Sequence, residues 1–150
     1  MSSRDAIRMS DAEVAAFLAE PRTLNVATVG PDGSIHLVAM WYLMQGASPV
    51  FTTYRKSQKV ANLRRDPRLS ALVEAGDDYG NLRGVELIGR AELIEDPGEV
   101  LTLVRDIAVH YGRRGAGQDP PRAAAKRVGV RLIPQRVISW DHAKIGALRH

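Results

Sequence analysis

Apolar residues recur along this chain in two periods. Val14, Phe17 and Leu18 fall at helical intervals behind Ser10-Asp-Ala-Glu13, which has capping-box spacing. This predicts a short amphipathic helix that ends before Pro21 and acts as a lid or buttress. From Thr23 to Val29 (TLNVATV) the period becomes two, Gly30-Pro-Asp-Gly33 is turn chemistry, and Ser34 to Met44 resumes with Ile35, Leu37, Val38 and Trp41. Those segments read as a hairpin. After a break at Gln45-Gly-Ala-Ser-Pro49, Val50 to Tyr54 (VFTTY) is expected to pair with the strand before it, placing three antiparallel strands in a row.

The spacing then predicts a two-turn helix over Ser57 to Arg65, with Ser57 as cap, Val60 and Leu63 inward, and Asp66-Pro67 as terminator. Leu69 to Val73 is a fourth strand, Gly76-Asp-Asp-Tyr-Gly80 a loop, and Val85 to Leu93 a long fifth strand that Gly89 allows to bend. Asp96-Pro-Gly-Glu99 opens the longest helix, with Val100, Leu103, Val104, Ile107 and Tyr111 on one face. Arg113 to Ala125 (RRGAGQDPPRAAA) has no periodicity and reads as a mobile surface loop. Lys126 to Trp140 is a final strand whose Pro134 marks an edge or bulge. Six strands with three helices between them, without βαβ alternation, predict a mainly β fold with peripheral helices: an antiparallel barrel or strongly curled sheet.

At 150 residues the chain is expected to form a single domain, 1–150, with a core that needs no staples. Hydrophobic residues at 45% and charged residues at 25% exclude a disordered or collagen-like polymer. Cysteine is absent, which excludes disulfides, thiolate nucleophiles and zinc-cysteine sites. No apolar run is long enough for a membrane span and MSSRDAIRMS has no signal core, so the expected location is the cytoplasm. Net charge is +4, yet Arg55 to Arg68 holds six basic residues against Asp66 alone, a local +5 that leaves the remainder at −1. The positive potential is one patch, which suits an anion site better than a polyanion coat.

The familiar catalytic signatures GxSxG, GxxxxGK[ST], HExxH and GxGxxG are missing, and His36, His110, His142 and His150 are not at paired ligand spacing, so no metal site is expected. Asp77-Asp78 reads as a solvated turn and His36 as a packed or rim imidazole. Phe51-Thr-Thr-Tyr-Arg-Lys-Ser-Gln-Lys59 differs. Arg55, Lys56 and Lys59 crowd a helix N-terminus where the macrodipole is already positive, and each cation there costs about 0.3 to 1 kcal/mol. A bound phosphate reverses the sign, because free backbone N–H groups, the Ser57 hydroxyl and three cations then serve one anion, with Thr52 and Thr53 adding hydroxyls. The alternative is a solvated charge run. Arg64, Arg65 and Arg68 sit where a helix C-terminus favours cations anyway. Val38-Ala-Met-Trp-Tyr42 offers backbone and side chains to a flat heterocycle, although composition alone favours ordinary barrel or dimer core for Met40, Trp41 and Tyr42.

Four stretches together carry a family resemblance: Ala27-Thr-Val-Gly-Pro-Asp-Gly33, Phe51-Thr-Thr-x-x-x-Ser-x-Lys59, Asn62-Leu-Arg-Arg-Asp-Pro-Arg68 and Ile133-Pro-x-x-Val-x-x-Trp140. Over about Ser10 to Trp140 the chain resembles the pyridoxamine 5'-phosphate oxidase-like split β-barrel flavoproteins, and within them the branch dependent on the deazaflavin coenzyme F420. The resemblance implies an FMN-binding-like split barrel and a homodimer with paired cofactor clefts at its interface. It implies that Thr52 and Thr53 face the ring or its ribityl chain. Ser57, Gln58 and Lys59 match the family's Ser-Arg-Lys phosphate grip, which Arg55 and Lys56 extend. His36, Val38, Met40 and Trp41 match the strand that runs under the ring, with His36 where flavin-using members often carry Arg. Trp41 replaces a lysine that holds pyridoxal in the true oxidases, whose C-terminal block is also missing.

The resemblance thus implies hydride transfer from reduced coenzyme F420 to a small conjugated or unsaturated acceptor, with the cofactor performing the difficult step. No obligatory general acid is assigned; Tyr42, Tyr79 and His36 are candidates by type only. An FMN-dependent oxidoreductase of the same fold and a non-catalytic flavin or tetrapyrrole carrier are the alternatives. Nucleic-acid binding rests only on the net positive charge and the basic run, and aromatics at 5% argue against it.

Overall fold

The structure is a computed structural model that describes residues 2–147; His150 lies outside them. The chain forms α1 (Ser3–Ala6), α2 (Asp11–Ala19), β1 (Leu24–Val29), β2 (Ile35–Met40), β3 (Leu43–Gln45), β4 (Ser48–Tyr54), α3 (Gln58–Arg65), β5 (Arg68–Ala75), β6 (Arg83–Ile94), α4 (Pro97–His110), β7 (Arg127–Asp141) and α5 (Ala143–Ala147). The seven strands make one antiparallel sheet in the order β2-β1-β5-β6-β7-β4-β3. The architecture is mainly β, a curled antiparallel sheet with helices at its margins.

The helix signals act as the sequence indicates. Ser10 and Glu13 complete a capping box on α2, Ser57 Oγ accepts from the Val60 amide at the start of α3, and Asp96 Oδ2 accepts from the Glu99 amide at the start of α4. Val60, Leu63, Val100, Leu103 and Ile107 are buried. The short helices α1 and α5 carry no comparable periodicity and were not anticipated.

The expected strand from Ser34 to Met44 is instead two strands at opposite edges of the sheet, which raises the count from six to seven. The cause is Tyr42. Its side chain is 1% exposed and donates its hydroxyl to the Leu18 carbonyl at 2.8 Å, while its backbone N–H donates to the Tyr111 hydroxyl at 3.2 Å. An amide committed to a phenol cannot join a ladder, so pairing breaks there. Consequently β4 does not extend the first hairpin; it pairs with β3 and β7.

A bulge falls between Ile88 and Gly89, where Gly89 faces Pro134. A Cβ on Gly89 would stand 2.0 Å from the Ile133 carbonyl oxygen, so glycine is required, and Pro134 supplies a position without an N–H. Two apolar clusters result. Phe17, Leu24, Val26, Tyr42, Phe51 and Val130 belong to the larger one within the curl, and Val50, Ile94, Val100, Leu103 and Ala124 hold α4 against β4 and the end of β6.

The segment expected to be a mobile surface loop is pinned. Arg105 Nε donates to the Asp119 carbonyl at 2.8 Å, Arg113 donates to Asp119 Oδ1 at 2.5 Å, and Ala124 is buried in the second cluster.

Candidate functional site

Strand alternation sorts β4 into two faces. Phe51 and Thr53 turn into the curl, whereas Val50, Thr52 and Tyr54 face the other way, toward α4 and the segment after it. On this second face Thr52 lies opposite Gly129 and Tyr54 opposite Arg127, whose guanidinium stacks 4.4 Å above the Tyr54 ring. A cleft of about 770 Å³ opens here, within the usual range for small-molecule sites.

The cleft's lining has two chemical characters. Val104, Ile107 and Ala108 of α4, with Ala39, Met40 and Trp41 at the end of β2, form an apolar wall. Arg113, Arg122, Lys126 and Arg127 add four cations to the lining, in which Asp119 is the one carboxylate among the described residues. Trp41 is 46% exposed on the cleft side, and its indole stacks on Tyr111. Tyr111 is fixed in turn: its hydroxyl donates to the Arg22 carbonyl at 2.5 Å and accepts from Tyr42. Burial raises the Tyr111 phenol above its ordinary value.

Of the residues singled out from the sequence, Met40, Trp41 and Thr52 line the cleft. Thr53 is buried on the other face and its hydroxyl accepts from Lys59 Nζ at 2.8 Å. Burial, and then the neighbouring Arg127 charge, lower the Lys59 amine from its usual range. Arg55 donates to the Ala125 carbonyl at 3.2 Å and its amide to Lys126 O at 2.8 Å, which ties the α3 approach to Lys126 of the cleft lining. Lys56 is exposed, and Gln58 donates to Asn62 Oδ1 at 2.8 Å. None of Arg55, Lys56, Ser57, Gln58 and Lys59 lines the cleft itself. His36 and Val38 share the face of the buried Thr28 and Val26 and stand outside the cleft; His36 Nδ1 is buried without a partner.

Tyr42, Tyr79 and His36, the proton-donor candidates by type, all lie outside the cleft. Tyr42 is engaged with Leu18, and burial pushes its phenol well above the ordinary tyrosine value. Tyr79 is exposed and packs edge-on against His142. Among the described residues no group of three or more His, Asp or Glu side chains is arranged to hold a metal ion.

Sequence reasoning missed Tyr54, Arg113, Asp119, Arg122, Lys126 and Arg127 as site residues. Their available signal was charge: Lys126-Arg127 opens a strand, as Arg55-Lys56 closes one. Only the β4–β7 pairing reveals that the two dipeptides are neighbours.

The model of the pyridoxamine 5'-phosphate oxidase family matches residues 10–141. The chain belongs to this family. A search of curated proteins yields no match. Among solved structures, a conserved hypothetical protein from Mycobacterium tuberculosis is 42% identical, with TM-score 0.86 over 97% of this chain and 93% of that one. An F420 reductase is 29% identical, with TM-score 0.68 over 81% and 93%. A FAD-binding protein from Mesorhizobium loti, at 22% identity and TM-score 0.67 over 87% and 93%, shares the fold.

Proposed function

We propose that this family member is a homodimeric cytoplasmic oxidoreductase that binds coenzyme F420 in the cleft and reduces a small conjugated or unsaturated acceptor. The observation that carries the proposal is the cleft's lining, which combines an apolar wall bearing Trp41 with four cations and, among the described residues, a single carboxylate. That donor set fits a planar ring with an anionic tail. Arg55 and Lys56 beside the cleft extend it for a ligand carrying more than one negative charge, and Lys59, held on the other face of β4, adds its charge at longer range. Similarity to an F420 reductase supports the choice of deazaflavin.

When bound and reduced, the deazaflavin would supply the hydride. The chain's own part is to bind, orient and exclude water. Trp41, Met40 and Ile107 would keep the ring region dry, Thr52 and Tyr54 would offer hydroxyls from β4, and the four cations would anchor the tail. With no proton-donor candidate assigned, solvent is the proton source in this scheme.

The exposed Ile35 and Leu37 on the outer face of β2, an edge strand, are the surface assigned here to the dimer contact. Deazaflavin fluorescence is expected to quench or shift at micromolar protein. Saturation by FMN without any response to coenzyme F420 transfers the assignment to an FMN-dependent oxidoreductase of the same fold, a second reading that the fold shared with a FAD-binding protein favours. Sedimentation as a monomer overturns the dimer.

A further inference from the structure

The segment after α4 carries an internal anion into the cleft. Gly112, Gly115 and Gly117 have φ of +67°, +73° and +85°, so the chain turns sharply and returns toward α4. There Arg105 grips the Asp119 carbonyl, and Arg113 pairs with Asp119 Oδ1. Both members of this ion pair line the cleft; the Asp119 side chain is 14% exposed and that of Arg113 43%. Asp119 Oδ2 is buried and receives no hydrogen bond. A buried carboxylate oxygen without a donor costs free energy, so the pair is incompletely compensated where it rests.

A guanidinium presents a fork of N–H groups that matches two oxygens of a phosphate or carboxylate, whereas Asp119 engages Arg113 through one oxygen. We propose that Asp119 is a displaceable internal counter-ion: it holds Arg113 until an anionic ligand enters the cleft, then yields the guanidinium to the ligand's phosphate or carboxylate while the 112–126 strap shifts. This rests on the cleft being the seat of an anionic ring cofactor. It adds that Arg113 is a ligand residue and that Asp119 sets the affinity for anions.

Riboflavin and FMN carry the same ring and differ by one phosphate, so their affinities separate charge from stacking. Asp119→Asn is expected to tighten FMN binding about three- to tenfold, the scale of a partly exposed ion pair, and to leave riboflavin unchanged. Arg113→Met weakens FMN binding and removes that gain, so the double variant matches Arg113→Met alone. Equal FMN affinity in wild type and Asp119→Asn, or parallel gains for FMN and riboflavin, overturns the proposal; coenzyme F420 replaces FMN in the comparison if FMN does not bind. Amide hydrogen exchange of the ligand-free protein gives an independent answer. Asp119→Asn should exchange faster across 112–126 with β5 and β6 unaltered, and unchanged protection of the strap also overturns the proposal. If the wild type binds none of the three ligands, the cofactor assignment fails, while the exchange result still decides the latch.

Discussion

The indole of Trp41 lies parallel to the phenol of Tyr111, with ring centroids 4.5 Å apart and planes inclined by 8°. The contact joins the end of the first hairpin to the end of α4, across 70 residues of chain, and sets one wall of the cleft. Because the Tyr111 hydroxyl also bridges Arg22 and Tyr42, the ring is held at both its face and its edge.

Tyr111→Leu removes the stack and both hydrogen bonds and leaves the Tyr42 amide without a partner. A loss of about 2 to 4 kcal/mol is expected from the hydrogen-bond and aromatic terms together. Tyr111→Phe keeps the stack and loses about 1 to 3 kcal/mol. Urea unfolding of both variants gives the order; equal stabilities would show that the hydroxyl contacts contribute everything and the ring nothing.

Lys59→Ala is expected to weaken F420 binding, with a smaller salt dependence than the wild type, as read by fluorescence titration at two ionic strengths. Unchanged affinity removes Lys59 from the anion site.

The ligand-free protein should show the Lys59 environment in its pH dependence. Burial and Arg127 lower the folded-state value below the ordinary 10.5, so in the window just below 10.5 the unfolded chain binds more protons. Stability relative to Lys59→Met therefore rises as pH climbs toward 10.5 and is flat at neutral pH. Thermal midpoints of the two proteins measured across that range check the sign. Because the amine is only half-buried, the gain is modest.

Glu13 gives the same sign of pH dependence at the acidic end of the scale. Hydrogen bonds from Lys144 and from Ser10 hold its carboxyl at about 2, against an ordinary value of 4.5. Its contribution is fully present above 4.5 and is lost as pH falls toward 2. Glu13→Gln should therefore be less stable than wild type at neutral pH and converge with it on acidification, which acid titration by circular dichroism follows.

Gly89→Ala places a methyl 2.0 Å from the Ile133 carbonyl. Backbone must move to accept it, and a loss of at least about 2 kcal/mol is expected. A variant that unfolds at the wild-type denaturant concentration would mean that the bulge is not a fixed feature.

The elements legible in the sequence are those whose signals are local. Ser10 and Glu13, Ser57, and Asp96-Pro97 place three helix starts because capping is settled within one turn of chain. The alternation in Thr23 to Val29 and Val85 to Leu93 marks strands because one face of each is buried. Gly89 and Pro134 marked the bend from either side. Family membership followed from motifs spread along the chain. Pairing was not local. The break at Tyr42 depends on Leu18 and Tyr111, one upstream and one far downstream, and no pattern within Ser34 to Met44 announces it.

The same division runs through the site. Sequence alone located a concentration of positive charge at Arg55 to Lys59 and an aromatic segment at Trp41, because charge and residue type are properties of the chain. Tertiary structure decided that Thr52 faces the cleft while Thr53 turns inward to Lys59, and that β7 brings Arg127 beside Tyr54. It also decided that the segment after α4 folds back to supply Arg113, Asp119 and Arg122. The reason is that a cleft wall is made by strand neighbours and docked helices, and which strands become neighbours depends on where remote side chains capture backbone hydrogen bonds.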